Sequence, residues 1–320
     1  MELRQFGSTG LKVSSLGLGL AEIGGLEGDS AVKDAGILLN SALDAGINFL
    51  DTAECYGISE ELIGQTVSHR RDDYILATKV GHTVAYDPNI DYSNAEPWTP
   101  RTILENIENS LIRMKTDHVD LIQFHAHNLS APPSDDLIQI VLDAKSAGKT
   151  RFVGYSQENE HAKWALKSGI FDSLQTAFSI VDQRARYELL DLAADNGIAV
   201  IAKRPIGNNS WGKVLSGLQT PSGELQDRAK AMIDVAPIQN MIDDPIELAL
   251  GFILAHSQIS TAIVGTRNPL HLLSNIKTIE SCLPLAREIL DELHERFDRV
   301  GAEWRGFDSP RSLVPPESEF

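Results

Sequence analysis

Val32-Lys33-Asp34-Ala35-Gly36-Ile37-Leu38-Leu39-Asn40-Ser41-Ala42-Leu43-Asp44-Ala45 runs into Gly46 and then into Ile47-Asn48-Phe49-Leu50-Asp51-Thr52-Ala53. In the first piece apolar side chains recur at spacings of three and four, which lines one face of an amphipathic helix. The glycine supplies a left-handed helix stop without a Cβ penalty. The second piece is short, apolar and bounded, as a buried strand is. Helix, glycine and strand form one unit, and the punctuation recurs at Ala147-Gly148, Ser168-Gly169 and Asn196-Gly197, each a few residues before another apolar run.

Eight such runs read as strands: Ser15 to Leu20, Ile47 to Ala53, Tyr74 to Val80, Val119 to His125, Arg151 to Ser156, Ser173 to Phe178, Ala199 to Lys203 and Thr261 to Gly265. Between them Val32 to Ala45, Thr102 to Met114, Asp135 to Ala147 and Tyr187 to Ala194 read as helices. Strands alternating with helices call for a parallel sheet with crossover helices. Eight units in a chain of 320 residues favour closure into an α/β (β/α)8 TIM barrel over an open doubly wound sheet.

Four pieces fall outside the repeat. Met1 to Ser14 holds two short strand-like pieces around Ser8-Thr9-Gly10, a β-hairpin closing the bottom of the barrel. Ile206 to Asp243 is too long for a simple connection and reads as a functional loop with a short helix after the seventh strand. Leu283 to Val300 reads as an extra C-terminal helix. Residues 1–305 are expected to form the single barrel domain, with 306–320 an extended or mobile tail.

Composition narrows the function. No apolar run reaches the roughly 20 residues of a membrane span, and the start lacks a secretory pattern, so a cytoplasmic protein is expected. Two cysteines, Cys55 and Cys282, are too few for a disulfide framework. A net charge of −17 opposes nucleic acid and anionic lipid. An anionic ligand therefore needs a local positive site.

In (β/α)8 enzymes chemistry gathers at the C-terminal ends of the strands. Asp51 ends the second strand and Tyr56 follows it; Lys79 lies near the end of the third and His125 ends the fourth. A phenol titrates near 10, so service as acid and base at neutral pH needs a neighbour that favours its ionised form, and Lys79 is that candidate. Asp51 would keep Lys79 protonated, and His125 would donate to a carbonyl oxygen as charge develops there.

The segment Asp51-Thr52-Ala53-Glu54-Cys55-Tyr56-Gly57-Ile58-Ser59-Glu60 with Leu62-Ile63-Gly64 resembles the signature of the aldo-keto reductases. The opening Gly7-Ser8-Thr9-Gly10-Leu11-Lys12-Val13-Ser14, Gly17-Leu18-Gly19 and Ile263-Val264-Gly265-Thr266-Arg267-Asn268-Pro269 extend the likeness over residues 3 to about 280. It implies an oxidoreductase on a TIM barrel that interconverts a small-molecule carbonyl and an alcohol by hydride transfer from a nicotinamide cofactor, with Tyr56 as acid and base.

The resemblance also implies a cofactor site. Ser156 and Gln175 match positions that hold the nicotinamide amide, and Gln157 stands where Asn is usual. Gly19 on the first strand and Gly207 in the loop after the seventh belong to the same surface. Where relatives commonly carry Tyr-Ser-Pro-Leu, this chain has Lys203-Arg204-Pro205-Ile206. Its cations either contact the pyrophosphate or form a solvated basic pair. Gly265, Thr266, Arg267, His271 and Asn275 fall on positions that grip the adenosine end. Arg267 is expected to pair with a 2′-phosphate, which favours NADP (NADPH) with NAD as the alternative.

Gly17-Leu18-Gly19 lacks the third glycine of a Rossmann fingerprint. Gly207 to Lys213 approaches a P-loop, but Val214 replaces the hydroxyl residue that would hold magnesium. His125-Ala126-His127 is a strand-type pair suited to a zinc-dependent barrel hydrolase, yet later strands lack further ligands, and no metal is expected. A nicotinamide-binding redox-sensing subunit on the same fold is the remaining alternative.

Overall fold

The computed structural model describes residues 1–81, 98–125, 131–216, 223–238, 242–282 and 284–304. Eight parallel strands close into a barrel. In chain order they are β3 (Leu16–Gly19), β4 (Phe49–Asp51), β5 (Ile75–Val80), β6 (Val119–His125), β7 (Thr150–Ser156), β8 (Ser173–Ala177), β9 (Ala199–Lys203) and β10 (Ile259–Gly265). Each pairs with its chain neighbour, and β10 returns to pair with β3 through Ala262 opposite Leu16 and Gly265 opposite Gly19. Before them β1 (Leu3–Gln5) and β2 (Lys12–Ser14) form the expected antiparallel hairpin.

Around the barrel run α1 (Ala31–Asp44), α2 (Ser59–Thr66), α3 (Pro100–Met114), α4 (Asp135–Ser146), α5 (Asn159–Ser168), α6 (Leu189–Asp195), α9 (Pro245–Leu254) and α10 (Pro269–Cys282). The glycines read as helix stops, Gly46, Gly148, Gly169 and Gly197, all have positive φ, as a left-handed cap requires. After β9 come two helices rather than the single short one expected, α7 (Ser210–Leu215) and α8 (Glu224–Ile233). The second forms because Ala229 and Met232 share a buried face. The extra C-terminal helix is α11 (Arg287–Val300). No helix among the described residues is long and apolar enough to cross a membrane.

Two apolar layers hold the barrel. The larger lies between strands and helices and includes Leu38, Leu62, Ile107, Tyr155 and Phe252. The smaller fills the barrel interior: Phe49, Ile75, Ala77, Leu121, Ala199, Ile201 and Ile263, closed from below by Phe6 and Val13 of the hairpin. The Phe6 and Phe49 rings meet at a tilt of 36° with centroids 5.6 Å apart. Side chains alternate along a strand, so positions two further along point the same way. Phe49 leads to Asp51, Ala77 to Lys79, and Leu121 to Gln123 and His125, so the interior turns from apolar to polar toward the C-terminal mouth.

Candidate active site at the barrel mouth

β4, β5 and β6 are neighbours in the barrel, and this adjacency unites the predicted residues. Lys79 Nζ donates to Asp51 Oδ2 at 2.7 Å and to the Thr52 carbonyl at 2.8 Å. Both charged side chains are almost wholly buried, at 1% and 3% exposure. Such a pair is tolerable only when its remaining polar atoms are satisfied. Here the other carboxylate oxygen, Asp51 Oδ1, accepts from Gln175 Nε2 at 2.8 Å and Gln123 Nε2 at 3.1 Å. Ser156 Oγ in turn donates to Gln175 Oε1 at 3.0 Å.

Tyr56 lies over this pair, half-buried. Lys79 Nζ is 4.8 Å from the centre of its ring, and the His125 ring meets it edge-on with centroids 5.8 Å apart. The loop carrying Tyr56 is held from two sides. Its amide donates to Ala53 O and its carbonyl accepts from Ser59 N, while Thr52 Oγ1 and Ser59 Oγ are 2.8 Å apart. On the other side Gly24 approaches so closely that a Cβ there would lie 1.8 Å from Tyr56 O, and Gly57 takes φ +52° against Gly24 O. A side chain at either glycine would displace the phenol.

Beneath the loop lies a second buried group. Glu60 accepts from Thr78 Oγ1 at 2.6 Å and pairs with Arg113 at 3.3 Å; burial pushes its carboxyl above the usual range. Burial, then the nearby Glu60 charge, pushes Glu54 up to about 7. Cys55 Sγ lies 3.5 Å from His125 Nδ1.

The sequence matches the Aldo/keto reductase family over residues 15–295. The chain belongs to the aldo/keto reductase family. Its relatives include the uncharacterized oxidoreductase YqkF of Bacillus subtilis, 32% identical over 87% of this chain and 90% of that protein. L-galactose dehydrogenase of Arabidopsis thaliana is 29% identical over 94% and 95%. Among solved structures, aldo-keto reductase AKR11C1 from Bacillus halodurans in its holo form superposes with a TM-score of 0.73, at 27% identity over 92% of this chain and 96% of that one. The family and its oxidoreductase members make this a carbonyl/alcohol oxidoreductase of a kind that uses nicotinamide cofactors.

In this aldo/keto reductase the residues expected to hold a dinucleotide fall into three groups. Ser156 and Gln157 at the end of β7 are buried beside Gln175 in the middle of β8; Gln157 N donates to Gln175 O at 3.1 Å. Lys203, Arg204, Pro205 and Gly207 follow β9. Lys203 Nζ and Arg204 Nη1 lie 3.6 and 3.8 Å from Glu158 Oε1, so both cations reach a buried carboxylate while Arg204 stays 33% exposed. Arg204 takes φ +56° and Gly207 φ +51°. At the β10–α10 junction Gly265 pairs with Gly19, which also pairs with Asp51. Arg267 Nε donates to Glu22 O at 2.6 Å, and a Cβ at Gly25 would lie 2.8 Å from its Nη2. Thr266 and Asn275 are buried and His271 is exposed in the first turn of α10.

These groups suit a dinucleotide. A buried hydroxyl-amide pair beside Asp51 matches a carboxamide, and cations after β9 and β10 match phosphates in an acidic chain, whereas the first-turn amides of α10 are already taken, Leu270 N by Asn268 Oδ1 and His271 N by the Asn268 carbonyl. Sequence reasoning did not single out Gln123, Glu158 or Gly24. Gln123 was findable, since it stands two residues before His125 on the same strand face. His127 lies outside the described residues. Trp211 is buried on α7.

Proposed function

We propose that the chain reduces an aldehyde, ketone or sugar carbonyl, and oxidises the matching alcohol, with NADPH as its preferred cofactor and Tyr56 as the acid and base. The observation carrying this reading is the Asp51-Lys79-Tyr56-His125 constellation, with an ammonium 4.8 Å from the phenol ring and held by a buried carboxylate at 2.7 Å. A reduced nicotinamide, when bound, supplies the hydride for the carbonyl carbon. Tyr56 passes its phenolic proton to the carbonyl oxygen, and Lys79 stabilises the phenolate left behind. Asp51 keeps Lys79 charged in a site where an unpaired ammonium would be costly. His125 donates a hydrogen bond to the same oxygen as negative charge grows on it. In the oxidative direction the phenolate takes the alcohol proton.

Ser156, Gln157 and Gln175 would hold the carboxamide; Lys203 and Arg204, with the backbone from Pro205 to Gly207, would hold the pyrophosphate. Gly19, Gly265, Thr266, Arg267, His271 and Asn275 would hold the adenosine end, with Arg267 on a 2′-phosphate. The test is fluorescence titration with NADPH and NADH, followed by a carbonyl panel with the tighter cofactor. Saturable binding with turnover of at least one carbonyl class supports the reading. Binding without turnover across aldehydes, ketones and sugars would transfer the chain to the redox-sensing role.

A further inference from the structure

Cys55 immediately precedes the phenol residue, on the loop clamped by Gly24 and Ser59, so its side chain has little freedom. It is 4% exposed, and its Sγ is 3.5 Å from Nδ1 of His125, itself 8% exposed. That separation is a hydrogen bond to sulfur, made at the Nδ1 side of the ring. In a neutral imidazole one nitrogen donates and the other accepts, and the partner of one decides the role of the other.

We propose that Cys55 is a positioning residue for carbonyl reduction: its S–H donates to His125 Nδ1, fixing the neutral Nε2–H tautomer and leaving that N–H as the donor to the reacting oxygen. This rests on the role given to His125 above. Three considerations set the direction of the bond. The pyridine-type nitrogen of an imidazole is a far better acceptor than a thiol sulfur, which accepts weakly. Burial pushes the Cys55 thiol up to about 12, outweighing the attraction of Lys79, so sulfur carries its proton at neutral pH. The reverse arrangement, Nδ1–H donating to sulfur, would set the Nε2 lone pair against the lone pairs of the substrate oxygen.

The experiment compares Cys55→Ala and Cys55→Ser with the full-length wild type. Nitrogen-15 spectra of histidine-labelled protein are recorded, with the His125 signals identified by their loss in His125→Gln. Wild type and Cys55→Ser are expected to show a pyrrole-type Nε2 and a pyridine-type Nδ1, because a hydroxyl can donate as the thiol does. In Cys55→Ala the two shifts should converge as both tautomers become populated. Carbonyl-reduction kcat should fall about tenfold in Cys55→Ala, less than the roughly 10²–10³-fold lost when an oxyanion donor is removed outright. The serine variant should recover to within about threefold, with KM and the melting temperature little changed. A pyridine-type Nε2 in the wild type, or an unchanged tautomer signature in Cys55→Ala, overturns the proposal. The tautomer measurement needs no turnover, so it stands or falls separately from the role of Tyr56: tautomer control by Cys55 in an enzyme indifferent to Tyr56→Phe would sink the earlier reading and keep this one.

Discussion

Replacing Lys79 by methionine removes the ammonium while keeping an unbranched side chain of similar length. With Nζ 4.8 Å from the Tyr56 ring centre, a phenolate loses about 3.5 kcal/mol of attraction at an effective dielectric of about 20. Converted at about 1.4 kcal/mol per tenfold, this is roughly a 300-fold fall in kcat/KM. The same change strands the Asp51 carboxylate, buried with only the Gln123 and Gln175 amides as donors. Breaking a buried pair costs about 3–5 kcal/mol. Over 320 residues, at about 2.1 cal/mol/K per residue, this lowers the melting temperature by about 5–7 °C. The double variant Lys79→Met/Asp51→Asn removes both charges, so it should regain part of that stability and none of the turnover. The assay is cofactor absorbance under steady-state carbonyl reduction, paired with a thermal melt. Turnover within about fivefold of wild type in Lys79→Met, or recovered turnover in the double variant, would refute the electrostatic reasoning.

Arg267→Ala should weaken NADPH about tenfold and leave NADH within about twofold in fluorescence titrations, since one charge-assisted contact to a 2′-phosphate is lost; equal weakening of both would place Arg267 elsewhere on the cofactor. Glu54 keeps its proton in the folded state up to about pH 7 but loses it near 4.5 when unfolded. Its contribution to stability is thus fully present below pH 4.5 and lost as pH rises through 7. Glu54→Gln should accordingly melt higher than wild type at pH 8 and alike at pH 4.5, and a gap independent of pH would contradict the assignment.

Much of the fold was legible because its signals are local. Val119–His125 and Ala199–Lys203 have the bounds read from sequence, since each is an apolar run with punctuation on both sides. The second strand was read from Ile47 to Ala53 but spans only Phe49–Asp51. Ile47 N closes the preceding helix by donating to Ala42 O. Asp51, Tyr56, Lys79 and His125 could be named because strand ends carry the chemistry of this fold and the motif around Tyr56 is distinctive. Gly24 could not: its need for a bare Cα comes from the carbonyl of Tyr56, distant in the chain. Glu158 was hidden for the same reason, as its partners Lys203 and Arg204 arrive from a later strand.

The central claim is that the Tyr56 phenol moves the proton while the rest of the site binds and orients. Tyr56→Phe tests it most directly, with NADPH affinity by fluorescence and carbonyl turnover measured on the same sample. The account predicts turnover reduced by at least about 10² with affinity unchanged within about twofold. Turnover close to wild type, or loss of cofactor affinity in step with turnover, would contradict it.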